Sequence, residues 1–412
     1  RGEKGVEVLL RDAHGRIQGN YMEGKFDKAP VPGKNLTLSL DIELQMLGER
    51  LLEGKIGSIV AIEPSTGEVL CLVSSPTYDP SLMIGRDRGK NHLAMSKDPW
   101  KPLLNRAIMG AYPPGSTFKT TQALTFLQEG IINTGTMYPC SGGFSYRGLH
   151  VGCHAHPSPL SLIPAIATSC NGYFCWGLYY MIGARQKYGS VQKAMNTWRD
   201  YMVSMGFGYQ LGIDLPGEKR GMIPNAQYYD KAYRRSWNGL TIISISIGQG
   251  EVTATPLQIA NLGATIANRG YFVTPHVVKE IEGESIDSIY TTRRYTKVDK
   301  GHYEEVVQGM RSAVLGGTCR TANIPELEIC GKTGTAQNHG KDHSAFMGFA
   351  PMNNPKIAIA VYVENGGWGA TYGVPIGKLV IEKYLTGKLT AEDEALATDI
   401  QNRRIDYGIQ ER

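Results

Sequence analysis

Three short segments, far apart in the chain, carry the residue types needed to activate one serine: Ser116-Thr117-Phe118-Lys119, Ser169-Cys170-Asn171 and Lys332-Thr333-Gly334-Thr335. A serine hydroxyl is a weak nucleophile at neutral pH and attacks a carbonyl only with a base beside it. Ser-x-x-Lys supplies both partners from one helical turn, because residues i and i+3 share a helix face. Pro113-Pro114-Gly115 cannot continue a helix, while an apolar-periodic stretch runs from Phe118 to Leu127 and stops at Gly130. Ser116 is therefore expected at a helix N-terminus, where free N–H groups and the positive dipole end favour a developing oxyanion. Each segment alone is common. A second Ser-x-x-Lys, Ser190 to Lys193, has no Pro-Gly lead-in and opens an amphipathic helix predicted over 190–205, so it reads as solvated surface.

The elements that must position these residues follow from pattern. The chain has 412 residues, 42% hydrophobic and 20% charged, which suits one large domain or one with an appendage. The net charge of +5 is mild, and Lys and Arg are scattered without a basic run or interleaved aromatics, so nucleic acid is not an expected partner. No stretch approaches ~18 uninterrupted apolar residues, so no membrane span is expected. The chain starts at Arg1 without a methionine or an apolar leader, and is expected to be a trimmed fragment whose anchor lies outside it.

Residues 1–35 alternate short β-like runs with Gly and Pro and read as a small β-rich remnant. Residues 42–52 have a helical pattern. Residues 57–74 form two β-branched runs joined by a Pro64-Ser65-Thr66-Gly67 turn, a hairpin. Helical patterns dominate from about 116 to 270. Strand-like runs return at 271–280, 327–336, 345–350 and 357–363, and 374–385 is a closing helix. Strands, a helical middle, then strands and a helix predict an α+β architecture with one sheet assembled from both ends of the chain. The polar segment 387–412 is expected to be a loose charged tail.

A second constellation involves sulfur. Seven cysteines (Cys71, Cys140, Cys153, Cys170, Cys175, Cys319 and Cys330) cannot all pair within the chain. Cys140, Cys153, His156 and Cys170 form a three-Cys, one-His set that suits tetrahedral structural zinc. His154, beside Cys153, is equally placed to be the imidazole ligand. The other reading is a Cys140–Cys153 disulfide with Cys170 as a small buried thiol. Cys71, Cys175, Cys319 and Cys330 fall in strand or helix patterns and read as core; His150, His339 and His343 show no partner spacing and read as structural or solvated.

The order and intervals of the three catalytic segments resemble those of the penicillin-recognising serine acyltransferases, which include penicillin-binding proteins and serine β-lactamases. Whole phrases sharpen the likeness. Pro32-Gly33-Lys34-Asn35-Leu36-Thr37-Leu38-Ser39-Leu40-Asp41, Asn105-Arg106-Ala107, Gly248-Gln249-Gly250-Glu251 and Gly331 to Ala336 followed by Gly348-Phe349-Ala350-Pro351 are similar to class B penicillin-binding proteins. These phrases span roughly residues 30 to 385.

That resemblance implies the penicillin-recognising transpeptidase (β-lactamase-like) fold over 36–386, an antiparallel sheet flanked by helices with an all-helical subdomain. Residues 1–35 would be the remnant of a β-rich pedestal. It implies a D,D-transpeptidase acting on peptidoglycan stem peptides and acylated by β-lactam antibiotics. Ser116 would be the nucleophile and Lys119 its base, with Lys332 and Ser169 relaying the proton and Asn171 holding substrate and Lys119. Thr333 and Thr335 would bind the terminal carboxylate, and Ser116 and Thr335 N–H groups would form the oxyanion hole. Gly334 would let a substrate strand lie close by β-augmentation. Members of the elongation branch carry a metal site at the middle residue of Ser-x-Asn, here Cys170. Such enzymes work at the periplasmic face of the cytoplasmic membrane with a membrane-embedded glycan polymerase and elongation scaffold proteins. A β-lactam-hydrolysing or D,D-carboxypeptidase serine hydrolase, or a non-enzymatic β-lactam sensor, would show the same three segments.

Overall fold

The structure, a computed structural model, describes residues 2–338 and 340–409. Helix α1 (Ile42–Leu51) is capped by Asp41, whose carboxylate accepts from Glu43 and Leu44 N–H, and it buries Leu44, Leu47 and Leu51. Strands β1 (Gly57–Ile62) and β2 (Val69–Ser75) form the expected hairpin. The middle of the chain is helical, with α2 (Lys119–Gln128) at its centre. A short hairpin, β3 (Gly143–Tyr146) with β4 (Leu149–Gly152), interrupts it. Helices α3 (Leu162–Ala167), α4 (Asn171–Gly183), α5 (Val191–Ser204), α6 (Pro256–Ala267) and α7 (Lys300–Leu315) follow. Strands β5 (Cys330–Ala336), β6 (His343–Ala350) and β7 (Ile357–Val363) then lead into α8 (Gly373–Thr386) and α9 (Ala391–Asn402).

The five long strands form one antiparallel sheet in the order β5-β6-β7-β1-β2, so the two ends of the chain do build it together. Side chains alternate between its faces. Ile59, Ala61, Ile357, Ile359 and Val361 pack under α1, α8 and α9. Val60, Ile62, Met347, Phe349, Ala358 and Ala360 face the helical middle. With both faces covered, the strands read as nearly continuous apolar runs. The sheet edge left open is β5, and the chain around Ser116 lies against it.

Helix α2 is buried from Lys119 to Leu127 although it carries Thr120, Thr121, Gln122 and Thr125. Its threonines return their hydroxyls to carbonyls one turn earlier at 2.7–2.8 Å, and Gln122 Oε1 accepts from Trp198 Nε1 at 2.8 Å. No polar side chain in this buried helix is thereby left unpaired, which would otherwise cost about 1–3 kcal/mol per group.

Three expectations change. The 271–280 run is two strands, Tyr271–Val273 and Val278–Ile281, each paired elsewhere. Pro275 cannot donate to a ladder, and next to it His276 exchanges backbone bonds with Gly67 and Val69 instead. The segment after Gly387 is not a loose tail. Thr390 caps α9, Ala397 and Ile400 enter the core, Lys378 pairs with Asp393 at 2.6 Å, and Tyr407 OH accepts from Ile56 N and donates to Glu364 O. Its one-sided burial left too few apolar residues for composition to reveal. The hairpin β3–β4 lay inside a segment rich in Gly and Ser that carried no strand signal. Residues 9–11 and 17–20 pair as an exposed hairpin, and no helix among the described residues is long and apolar enough to cross a membrane.

Candidate active site

Ser116 sits in a 3-10 turn, Gly115–Phe118, that runs directly into α2. Gly115 has φ +56°, and a β-carbon there would stand 2.8 Å from Thr335 O, so glycine is required to bring this turn against β5. Gly115 N–H donates to Gly248 O at 2.9 Å, and Thr117 Oγ1 to Pro114 O at 2.7 Å. Ser116 Oγ has no hydrogen-bond partner among the described residues and opens on a cleft of about 630 Å³.

One turn on, Lys119 is fully buried. Its Nζ donates to Ser169 O at 2.7 Å, Asn171 Oδ1 at 2.6 Å and Ser169 Oγ at 3.2 Å. Lys332, also fully buried on β5, brings its Nζ to the same Ser169 Oγ at 2.7 Å. The Ser169 hydroxyl thus bridges two lysines. Burial lowers the Lys119 pKa to about 8, against the pull of nearby cysteine sulfurs, and burial with the Lys119 charge pushes Lys332 well below the usual lysine value.

The placement of Ser169 has a local cost. Ser169 N–H bonds to Ile166 O at 3.1 Å and Cys170 N–H to Ala165 O at 2.9 Å, closing the C-terminus of α3 as a Schellman motif with Ser169 at φ +57°. Glycine is the usual occupant of that position, and a left-handed non-glycine residue costs about 1–2 kcal/mol. The strain is retained where a hydroxyl is needed between two amines.

Thr333 and Thr335 line the cleft wall. Thr333 Oγ1 donates to Thr318 Oγ1 at 2.9 Å, and Thr335 Oγ1 accepts from Gly369 N at 3.3 Å. Gly334 has a further role besides the one expected of it. A β-carbon there would meet Ala345 Cβ at 3.0 Å and Thr117 Cγ2 at 3.1 Å, so this glycine also seats the Ser116 turn. Thr318, Arg320, Asp342, Gln249 and Trp368 also line the cleft. Only the Gly248-Gln249-Gly250 phrase pointed to any of them; the rest come from turns without a chemical signature.

The second constellation also assembles. Donor atoms of Cys140, Cys153, His156 and Cys170 all lie within 4.8 Å of one another. His156 Nδ1 contacts Pro157 O at 2.7 Å, which assigns the proton to Nδ1 and leaves Nε2 facing Cys153 Sγ at 3.3 Å. His154 stands outside the set, its ring 5.5 Å from that of His156, and lines the cleft instead. Cys170 caps α4 by accepting from Tyr173 N, and Cys153 Sγ accepts from Asn171 N, both at 3.3 Å. The Cys170 thiol, the Asn171 N–H and His156 hold the Cys153 thiol down at about 4 against desolvation. Cys170 is pushed up by that same contact and by burial, and Cys140 chiefly by burial. All seven cysteines are free thiols, and the other four are buried core residues as expected. His150 bonds Ser145 Oγ, His343 accepts from Asn365 N, and His339 lies outside the described residues.

Comparison with known proteins agrees with this geometry. Residues 57–382 match the penicillin-binding protein transpeptidase domain. The chain is 36% identical to the peptidoglycan D,D-transpeptidase MrdA of Acinetobacter baumannii, over 93% of this chain and 58% of that protein, and so spans about three fifths of the length of that curated relative. It is similar in structure to Pseudomonas aeruginosa PBP2 in complex with WCK 5153 (TM-score 0.76, 32% identity, covering 94% of this chain and 90% of that one). It is also similar to PBP2 of Helicobacter pylori in its complex with MreC (TM-score 0.75, 27% identity, covering 94% of this chain and 70% of that one). A sheet edge, a serine turn and a two-lysine floor in this order, within a match that covers most of the chain, place it in the family of penicillin-binding protein transpeptidase domains.

Proposed function

We propose that this chain is a serine-type D-Ala-D-Ala transpeptidase that cross-links peptidoglycan stem peptides in cell-wall elongation and is acylated by β-lactams. The observation that carries the reading is the Ser169 hydroxyl bridging Lys119 and Lys332 at the floor of the cleft onto which Ser116 opens. Ser116 Oγ attacks the penultimate D-Ala carbonyl, forming a C–O bond while its proton passes to a neutral lysine amine. The C–N bond then breaks, and the leaving D-Ala amine takes a proton through Ser169 Oγ from the lysine pair. An acceptor amine attacks the ester and releases Ser116. The Thr333 and Thr335 hydroxyls with Lys332 receive the terminal carboxylate, and the N–H groups of Ser116 and Thr335 serve the oxyanion.

The Cys140, Cys153, His156 and Cys170 set would hold zinc, three soft sulfurs and one imidazole being its preferred donors. Bound zinc would supply a structural cross-link between the β3–β4 segment and the start of α4. The likeness to MrdA and PBP2 supports the elongation branch, the periplasmic face of the cytoplasmic membrane as the place of work, and a membrane-embedded glycan polymerase and elongation scaffold proteins as partners.

Fluorescent penicillin tests the central step. Labelling is expected to be stoichiometric and lost in Ser116→Ala; labelling that survives this substitution would overturn the reading. Steady turnover of a chromogenic cephalosporin would move the assignment to a hydrolase. Stoichiometric zinc in protein purified without added metal is expected, and its absence would remove the metal from the proposal.

A further inference from the structure

The sulfur cluster touches the catalytic cleft at one atom set only. Cys140 and Cys170 are 5% and 1% exposed, and Cys71, Cys175, Cys319 and Cys330 are fully buried. Cys153 is half-buried and, between Gly152 and His154, forms part of the wall of the cleft onto which Ser116 opens. A small reagent entering the cleft therefore meets this sulfur and no other cysteine.

Cys153 is also tied to the base. Its Sγ accepts the Asn171 N–H at 3.3 Å, while Asn171 Nδ2 donates to Gly152 O at 2.7 Å and Asn171 Oδ1 accepts from Lys119 Nζ at 2.6 Å. Asn171 is thus held to the β4 end on two sides and presents its third polar atom to Lys119. Any change in the Cys153 sulfur that ends its acceptor role, or moves it, releases one of those two attachments.

We propose that Cys153 is an oxidative modification site of the active-site cleft, through which a two-electron oxidant of the peroxide class switches off acylation. This rests on the serine-acylation reading for its functional consequence. Hydrogen peroxide is the oxidant: the Cys153 thiolate attacks one oxygen, the O–O bond breaks, and a sulfenic acid and hydroxide form. Cys170 or Cys140, whose sulfurs lie within 4.8 Å, then displaces the sulfenic oxygen to give a disulfide. In sum two thiols lose two electrons and two protons, and peroxide becomes two waters. A disulfide sulfur is a poor acceptor for Asn171 N–H and no longer a metal ligand, so Asn171 and then Lys119 lose their fixed positions.

The full chain, as purified, is treated with hydrogen peroxide and followed by peptide mass mapping, zinc release to a chromogenic chelator, and the rate of fluorescent-penicillin labelling. A disulfide containing Cys153 is expected, with labelling slowed about tenfold, the equivalent of losing one charge-assisted hydrogen bond, and restored by a dithiol reductant. Prior acylation of Ser116 by penicillin is expected to fill the cleft and slow Cys153 oxidation. The proposal is overturned if Cys153 stays reduced while Cys140 or Cys170 oxidises, if acylated and free protein oxidise at one rate, or if Cys153 oxidises without slowing the labelling. A protein that penicillin never labels instead refutes the serine-acylation reading, and the proposed switch with it; mass mapping still reports the sulfur separately.

Discussion

The chain contains Ser-x-x-Lys twice, and the two copies share a spacing but little else. Ser190 caps α5: it has φ −150° and ψ 159°, its Oγ accepts the Lys193 N–H at 3.2 Å, and Lys193 is exposed. Ser116 stands inside a turn forced against a sheet edge by Gly115, with its Oγ unengaged among the described residues and Lys119 buried among three oxygen acceptors. In one copy the hydroxyl closes a helix and the ammonium is dissolved in water. In the other the hydroxyl is free and the amine is desolvated enough to give up its proton. Nucleophile activation therefore depends on what surrounds the pair, and the i, i+3 spacing only permits it.

The largest test of this contrast removes the two lysines in turn. Lys119→Ala should slow penicillin acylation by about 10³-fold, within the range for losing a general base. Lys193→Ala should leave it within about twofold, as for an exposed substitution. Equal losses would mean that Lys119 acts only by holding the fold. A second test concerns the residue that joins the lysines. Ser169→Gly and Ser169→Ala both remove the bridging hydroxyl, and each should slow acylation by about 10²-fold. Only glycine relieves the left-handed backbone, so the glycine variant should be the more stable by about 1 kcal/mol in chemical denaturation. Equal stabilities would show that the α3 terminus is not strained.

The same contrast explains how much was legible in the sequence. Ser116, Lys119, Ser169, Asn171, Lys332, Thr333 and Thr335 were all named from their segments, because each needs a particular functional group at a fixed offset. The five-stranded sheet was legible because its strands, buried on both faces, leave unbroken β-branched and apolar runs. What stayed hidden depends on long-range packing. The further role of Gly334 is set by Thr117 and Ala345, more than ten residues distant on either count, and helix α9 is amphipathic on a stripe too narrow for composition to register. Thr318 and Trp368 reach the cleft from turns whose path no local pattern encodes. The choice between His154 and His156 needed only a backbone direction, which sequence spacing does not contain.

Titration gives a gentler probe of the buried copy. Burial brings Lys119 from 10.5 to about 8. Only the neutral amine can accept a proton, so acylation should rise about tenfold per pH unit below that value and level off above it. The unfolded chain keeps its proton to a higher pH than the folded one, so this lysine makes stability increase with pH between about 8 and 10.5. A pH–rate profile for labelling in Lys193→Ala should superimpose on the parent. A flat profile across pH 6 to 9 would show that Lys119 is not the titrating base.

The smallest effect is expected at the surface copy, and it should be one of stability alone. Ser190→Ala removes the oxygen that satisfies Lys193 N–H and should lower unfolding free energy by about 1 kcal/mol, whereas Ser190→Gly should cost only a few tenths. Neither should change the rate of penicillin labelling, because α5 meets α2 and the serine turn through Trp198 and Met202, which touch Gln122 and Phe118 about two or more turns beyond the cap. A slower acylation in Ser190→Ala at temperatures where the protein is fully folded would mean that the α5 cap is coupled to α2 after all. In that case the two Ser-x-x-Lys copies would be energetically linked through Gln122, and the division between a structural and a chemical copy would have to be redrawn.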